Sequence, residues 1–243
     1  MTYETLNDVV KDLETNPVEK SGNIYHPIPF PEFSHLKTSS NSKEVHKKWS
    51  YIKQSISTFS SNEFTNLRVL DVGANAGFYT FSLANLGATV TAFEPHPRYA
   101  PMGEFLIKHK NLNVKWHKKP FNPNMINNEK FDFALMLSVF QWMSEGNENI
   151  KQAASHLKYI SEVCNATIFE LGYNKGKSCI TTKKLNHYAE LIRFLQENTA
   201  YSNYKLLTTT KLWGSSKRFL VFCSNDEQVE DSFLRKHVRK LRI

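Results

Sequence analysis

From Arg68 onward, apolar residues fall into short runs that alternate with stretches of helical spacing. Residues 68–72, 88–93, 113–116, 131–138 and 166–171 read as strands, and the run 131–138 is apolar enough to lie at the centre of a sheet. Between them, residues 78–86, 99–109 and 150–163 carry the apolar spacing of helices, and 185–197 continues the series. Two further runs, 205–212 and 218–223, lie close together across Trp213-Gly-Ser-Ser-Lys217, which predicts a hairpin. The chain is therefore expected to be an α/β protein built of βα repeats that end in an antiparallel pair.

The first 65 residues have a different texture. Leu6, Val9, Val10 and Leu13 predict one amphipathic helix, and Val45, Trp49, Ile52 and Ile56 predict another. The segment 25–33 between them holds three prolines, so it is extended rather than helical. This divides the chain into a helical cap or lid at 1–65, a core at 66–225 and a charged helical tail at 226–243.

Composition narrows the class without changing it. The 243 residues suffice for one α/β domain with an extension, and 40% hydrophobic with 22% charged residues is ordinary for a folded soluble protein. There is no apolar stretch of about eighteen residues and no signal-peptide pattern at the N-terminus, so a cytoplasmic protein without a membrane span is expected. Three scattered cysteines and nine histidines without ligand spacing give no expectation of a metal. The formal charge of +8 favours anionic partners.

The chemistry begins where the first strand meets the first core helix, at Asp71-Val-Gly73-Ala74-Asn75-Ala-Gly77. Glycines at 73 and 77 allow a tight turn and the close approach of a ligand. A dinucleotide fingerprint would place glycines at 73, 75 and 78, where this chain has Gly73, Asn75 and Phe78. That fingerprint brings a pyrophosphate onto a helix N-terminus, whereas an acidic Asp71 suits a cationic ligand end. The second strand ends in Phe93-Glu94-Pro95, and an acidic side chain about 20 residues beyond the first turn can take ribose hydroxyls.

These two motifs, in strand–turn–helix–strand order, resemble the first two motifs of class I S-adenosylmethionine-dependent methyltransferases, and the likeness extends over residues 66–224. It implies a Rossmann-like, seven-stranded sheet with its last strand antiparallel, and S-adenosylmethionine as cofactor. It further implies that Gly73, Ala74, Asn75 and Gly77 line the methionine moiety, that Glu94, followed by Pro95, binds the ribose, and that Ser138 and Phe140 approach the cofactor. Family members often carry an acid after the third strand to meet adenine. Here the sequence is Trp116-His-Lys-Lys-Pro-Phe121, so backbone groups or stacking on Phe121 are the expected substitutes.

On the acceptor side, the same resemblance implies that Gln141 and Trp142, in Leu137-Ser-Val-Phe-Gln-Trp-Met143, contact the substrate. Arg98 and the loop lysines Lys175 and Lys177 are further acceptor-binding candidates at the carboxyl edge of the sheet. A hydroxyl acceptor needs a general base, for which Glu170, His26 and His117 are candidates, whereas an anionic phosphate needs cations and no base. Lys47, Lys48, Lys217 and Arg218 add to the cations available. Leu137-Ser-Val-Phe140, Ile168-Phe-Glu-Leu171 and Lys217-Arg-Phe-Leu-Val-Phe-Cys-Ser-Asn225 are similar to the methyltransferase half of O-antigen chain-terminating kinase–methyltransferases. The resemblance implies O-methylation of a sugar or sugar phosphate in surface polysaccharide or capsule biosynthesis, with a small-molecule or glycan acceptor as partner. An RNA 5′-phosphate methyltransferase and a catalytically inactive cofactor-binding regulator are the alternative readings.

Overall fold

The computed structural model describes residues 3–60, 64–172, 179–180, 185, 187–211 and 217–226. Seven strands form one sheet: β1 (Arg68–Val72), β2 (Thr89–Phe93), β3 (Val114–His117), β4 (Phe131–Leu137), β5 (Cys164–Glu170), β6 (Asn203–Thr210) and β7 (Arg218–Ser224). Their order is β3-β2-β1-β4-β5-β7-β6, parallel from β3 to β5, with β7 antiparallel to both β5 and β6. This is the Rossmann-like seven-stranded arrangement expected from the motifs. The hairpin forms where its two runs predicted it, although β6 begins at Asn203 and has a bulge between Leu206 and Thr208.

Strand side chains alternate between two apolar layers, as the two-residue period of a strand requires. Leu70, Val72, Phe93, Met136, Phe169 and Val221 face α6 (Ile150–Val163) and α7 (Tyr188–Asn198). Val69, Val90, Phe133, Leu135, Ile168 and Phe222 face α2 (Ser42–Phe59) and α3 (Phe78–Asn85). The predicted helix at 185–197 thus starts only at Tyr188. A four-residue helix, α5 (Phe140–Met143), which no periodicity announced, follows β4.

The N-terminal segment is packed on the sheet's helices. In α1 (Leu6–Thr15), Thr5 and Asp8 form a reciprocal capping box, and Val9 and Leu13 bury against Phe81 of α3 and Tyr99, Met102 and Leu106 of α4 (Tyr99–His109). The proline-rich segment forms no regular helix or strand before a short 3-10 turn at Pro31–Phe33, and its Phe30 stacks on Phe81 at 5.7 Å. Asn41 caps α2 by accepting from the Lys43 and Glu44 amides. Among the described residues no helix is long and apolar enough to cross a membrane, and no group of three His, Cys, Asp or Glu side chains is placed to hold a metal ion. The proposed tail lies outside the described residues from 227 onward.

Candidate active site

The sheet order reverses between β1 and β4, and ligands of such sheets bind outside the carboxyl ends of the strands at that point. The structure brings Gly73–Gly77, Glu94, Ser138 and Glu170 to this edge, at the ends of β1, β2, β4 and β5. The loop after β1 is tied down by its own backbone. The Gly73 and Ala74 amides both donate to the Phe93 carbonyl, at 2.9 and 3.0 Å. Gly73 and Gly77 have φ of +83° and +84°, and a Cβ would strike Val139 at the first and the Phe81 ring at the second. Asn75 also adopts the left-handed region, at φ 54°, a conformation Asn tolerates better than most residues.

Glu94 closes this loop. One carboxylate oxygen accepts from the Asn75 amide at 2.6 Å and the other from the His96 amide at 2.7 Å. Burial raises its carboxyl above the usual range, and the two amide bonds offset part of that rise. Glu94 therefore both shapes the loop and presents its remaining lone pairs to the crevice, with Pro95 exposed beside it. Asp71 is 3% exposed, and its hydrogen-bond partner is the Thr80 hydroxyl at 2.5 Å. Burial pushes its carboxyl up to about 7. The Asn75 side-chain oxygen is buried without a partner. A buried carboxyl with no cation beside it among the described residues and an orphaned amide oxygen fit the ammonium of a methionine moiety, and they do not fit a phosphate.

The second half of the site is a sealed polar cluster. Lys48 of α2 and Glu170 at the end of β5 pair at 2.8 Å with neither side chain exposed. The Glu170 carboxylate also accepts from Ser138 at 2.5 Å and from Thr210 at 2.8 Å. Arg218, 3% exposed, donates to the Ser138 hydroxyl at 3.2 Å and lies 4.0 Å from Glu170. Burial alone would raise the Glu170 carboxyl, but Lys48, Ser138 and Arg218 hold it below the usual range. Burial also lowers the Lys48 ammonium, with Glu170 acting against that fall. Two cations thus share one carboxylate. His26 adjoins them; burial and the charges of Lys48 and Arg218 keep its ring neutral.

Several residues read from the sequence take other positions. Phe140 is fully buried, edge-on to Phe169 and Phe194, so it is a core residue with no face toward the crevice. Gln141 bridges the Ser138 carbonyl at 2.6 Å and the Gly172 amide at 3.1 Å, which joins the ends of β4 and β5 rather than leaving its amide to a ligand. Arg98 donates to Asp12 and to the Asn16 carbonyl, both at 2.8 Å, and so docks α1. His117 ends β3 and stacks on Phe93 at 4.4 Å. Four inter-strand steps separate it from β5, on the order of 19 Å, so it cannot share a proton with a group beside Glu170. Glu170 itself, saturated by three donors, is poorly placed as a base. Phe121 packs edge-on to Phe93 at 5.2 Å, beside His117 at the β2–β3 edge. Trp142, by contrast, is 62% exposed at the sheet's carboxyl edge. Lys175 and Lys177 lie outside the described residues.

Tyr79, Thr80 and Thr210 were not legible as site residues. The burial of Lys48 was: it stands three residues after Val45 and four before Ile52, on the apolar face of α2.

Comparison with known proteins agrees with this geometry. Residues 69–159 match the family model described as a methyltransferase domain. A curated relative, the ubiquinone biosynthesis O-methyltransferase of Bartonella tribocorum, is 27% identical over 95 residues, which is 39% of this chain and 38% of that protein. Among solved structures, WbdD aligns over 89% of this chain and 47% of its own length, at 20% identity and a TM-score of 0.65. The N-terminal domain of EvdMO1 with SAH bound aligns over 92% of this chain and 98% of that domain, at 12% identity and a TM-score of 0.58. The chain thus spans less than half the length of the relative and of WbdD. The sheet order is that of the class I methyltransferase fold, residues 69–159 match a methyltransferase domain, and the chemistry of the Asp71–Gly77 loop fits S-adenosylmethionine.

Proposed function

We propose that the protein transfers a methyl group from S-adenosylmethionine to an oxygen of an anionic sugar or sugar phosphate, in the assembly of a surface polysaccharide. The observation that carries this reading is the charge imbalance behind Ser138. Among the described residues Glu170 is the only carboxylate within ion-pair distance of the buried Lys48 and Arg218. Glu44, which also acts on the Lys48 charge, lies beyond that distance and is partly exposed, so the buried cluster holds two cations to one carboxylate. Buried charge without a partner is unfavourable by several kcal/mol, on the order of that for any desolvated ion, so the arrangement favours an anionic ligand. The resemblance to chain-terminating kinase–methyltransferases supports a glycan carrying that anion.

When bound, S-adenosylmethionine supplies an electrophilic methyl on a sulfonium sulfur. Asp71 and Asn75 are the residues to hold its ammonium, and Glu94 its ribose hydroxyls. The chain's remaining task is to place an oxygen lone pair in line with that methyl, and alignment alone supplies a large part of the rate. Lys48 and Arg218 fix the anion, Glu170 orients both through its carboxylate, and Ser138, at φ 57°, holds the end of β4 in the turn that brings its hydroxyl to this cluster. An anionic oxygen is already a competent nucleophile, which agrees with a cluster where the carboxylate is saturated.

The test is transfer of labelled methyl from S-adenosylmethionine to a panel of sugar phosphates, the parent neutral sugars and short 5′-phosphorylated RNAs. Label on the sugar phosphates alone is expected. Label confined to neutral sugars overturns the anionic acceptor, and label on RNA alone assigns the protein to the RNA class.

A further inference from the structure

Two buried polar atoms beside the cationic cluster have no hydrogen-bond partner among the described residues, the Nε2 of His26 and the hydroxyl of Tyr79. Orphaned buried groups are rare because each forfeits the hydrogen bonds it would make in water, so two together mark a place where a ligand's polar group belongs. They come from different parts of the chain. His26 lies in the proline-rich segment, and Tyr79 is the second residue of α3, directly after the cofactor loop.

Both rings are held firmly. The backbone at Tyr25 is fixed on both sides: its amide donates to the Tyr99 hydroxyl oxygen at 2.9 Å, and its carbonyl accepts from the Ser40 hydroxyl at 2.7 Å. The His26 ring lies 4.6 Å from the Tyr25 ring and meets the Tyr79 ring edge-on at 5.9 Å. Tyr79 in turn packs against Phe78 and Trp49. The Lys48 ammonium stands 5.9 Å from the centre of the Tyr79 ring. The pair therefore borders the cluster of Lys48, Arg218 and Glu170 on one side and the Asp71 end of the cofactor loop on the other.

The two orphans are uncharged and complementary. A neutral imidazole nitrogen either donates or accepts, and a phenol does both, so together they match a group that is also both donor and acceptor. A hydroxyl is such a group, and the oxyanion has the two cations beside it as its partners. Resting on the anionic-acceptor reading above, the geometry points to a second recognition element: His26 and Tyr79 bind a hydroxyl of the acceptor adjacent to its anionic group, and so select a hydroxylated, sugar-like phosphate over an alkyl phosphate. They are specificity-determining residues, and the methylated oxygen is a separate matter. A site built to hydrogen-bond a substrate hydroxyl discriminates strongly against an analogue lacking it, because its own buried groups are then left unpaired.

The experiment compares pyranosyl 1-phosphates with cyclohexyl phosphate, which keeps the ring and the phosphate and lacks every hydroxyl. Binding is measured by calorimetry with S-adenosylhomocysteine present, and kcat and KM are measured with S-adenosylmethionine. The full chain is expected to favour at least one pyranosyl phosphate over cyclohexyl phosphate by about a hundredfold or more in affinity and in kcat/KM. Tyr79→Phe removes one oxygen and leaves the ring packing intact; it is expected to reduce that ratio at least tenfold, chiefly through the sugar phosphate. His26→Ala is expected to do the same, with His26→Gln restoring part of the preference. Loss of both ligands in equal proportion in Tyr79→Phe, or equal affinity of the unaltered protein for the two, overturns the hydroxyl site while leaving the anionic acceptor standing. Failure of the unaltered protein to bind either phosphate overturns the anionic-acceptor reading, and this inference with it.

Discussion

Lys48 on the second helix and Glu170 at the end of the fifth strand meet at 2.8 Å with neither side chain open to solvent, joining the N-terminal segment to the carboxyl edge of the sheet. Leaving a buried charge unpaired costs about 3–5 kcal/mol, and after loss of Lys48 the Glu170 carboxylate still has Arg218 at 4.0 Å. Lys48→Ala is therefore expected to lower unfolding stability by less than that amount, read as a shift in the chemical denaturation midpoint. Lys48→Met with Glu170→Gln leaves the buried Arg218 without its carboxylate and is expected to be less stable than Lys48→Met alone and to lose binding of sugar phosphates. If the double variant binds them as well as the parent, the cluster has no part in acceptor recognition.

Glu94 sits between two functions. Glu94→Ala removes a charged hydrogen-bonding group worth roughly 1.5–3 kcal/mol, so S-adenosylmethionine affinity is expected to fall by about tenfold or more in a calorimetric titration. Because the same carboxylate holds the Asn75 and His96 amides, a smaller loss of thermal stability is expected with it. Unchanged affinity would remove Glu94 from the cofactor site.

Asp71, as the proposed partner of the ammonium, is expected to make cofactor binding depend on pH. Its carboxyl is raised to about 7 by burial, with Thr80 donating to it and Glu94 as the neighbouring like charge. The folded value lies above the unfolded one, so folding takes up a proton between about pH 4 and 7 and this group's contribution to stability is lost as pH rises through that window. A cationic ammonium favours the ionised form. Binding of S-adenosylmethionine is then expected to release a fraction of a proton near pH 7 and to tighten from pH 6 to 8. Calorimetry in buffers of different ionisation enthalpy measures this directly, and in Asp71→Asn the proton release is expected to vanish.

Arg98 serves the N-terminal helix rather than the acceptor. Its guanidinium binds Asp12, 9% exposed, and the Asn16 carbonyl. Arg98→Ala is expected to lower stability by about 1–3 kcal/mol, in the range of a partly buried charged hydrogen bond, and to leave the acceptor KM unchanged. A raised KM at unaltered stability would return Arg98 to the acceptor site.

The strands were legible because their signal is local. β1 lies at the residues its apolar run marked, and the hairpin was announced by two runs flanking Trp213–Lys217. The cofactor loop was legible because its chemistry is contiguous, with Asp71, the glycines and Glu94 in register along two adjacent strands. The acceptor cluster was not, since Lys48, Ser138, Glu170, Thr210 and Arg218 come from five elements and meet only through the sheet order. Lysines on a solvated face and a lysine on a buried face have the same composition; only the spacing around Lys48 tells them apart. Phe140 misled for the opposite reason. Its position after β4 matches a ligand-facing place in the family, but the four-residue helix α5 turns its ring into the core against Phe169 and Phe194.

The methyl donor site is the central claim, and a calorimetric titration of the full chain with S-adenosylmethionine, S-adenosylhomocysteine and a nicotinamide dinucleotide tests it most directly. Saturable one-to-one binding of the first two and none of the third is expected, because Asp71 disfavours a pyrophosphate beside Gly73–Gly77. Binding of the dinucleotide without binding of either S-adenosyl compound would contradict it.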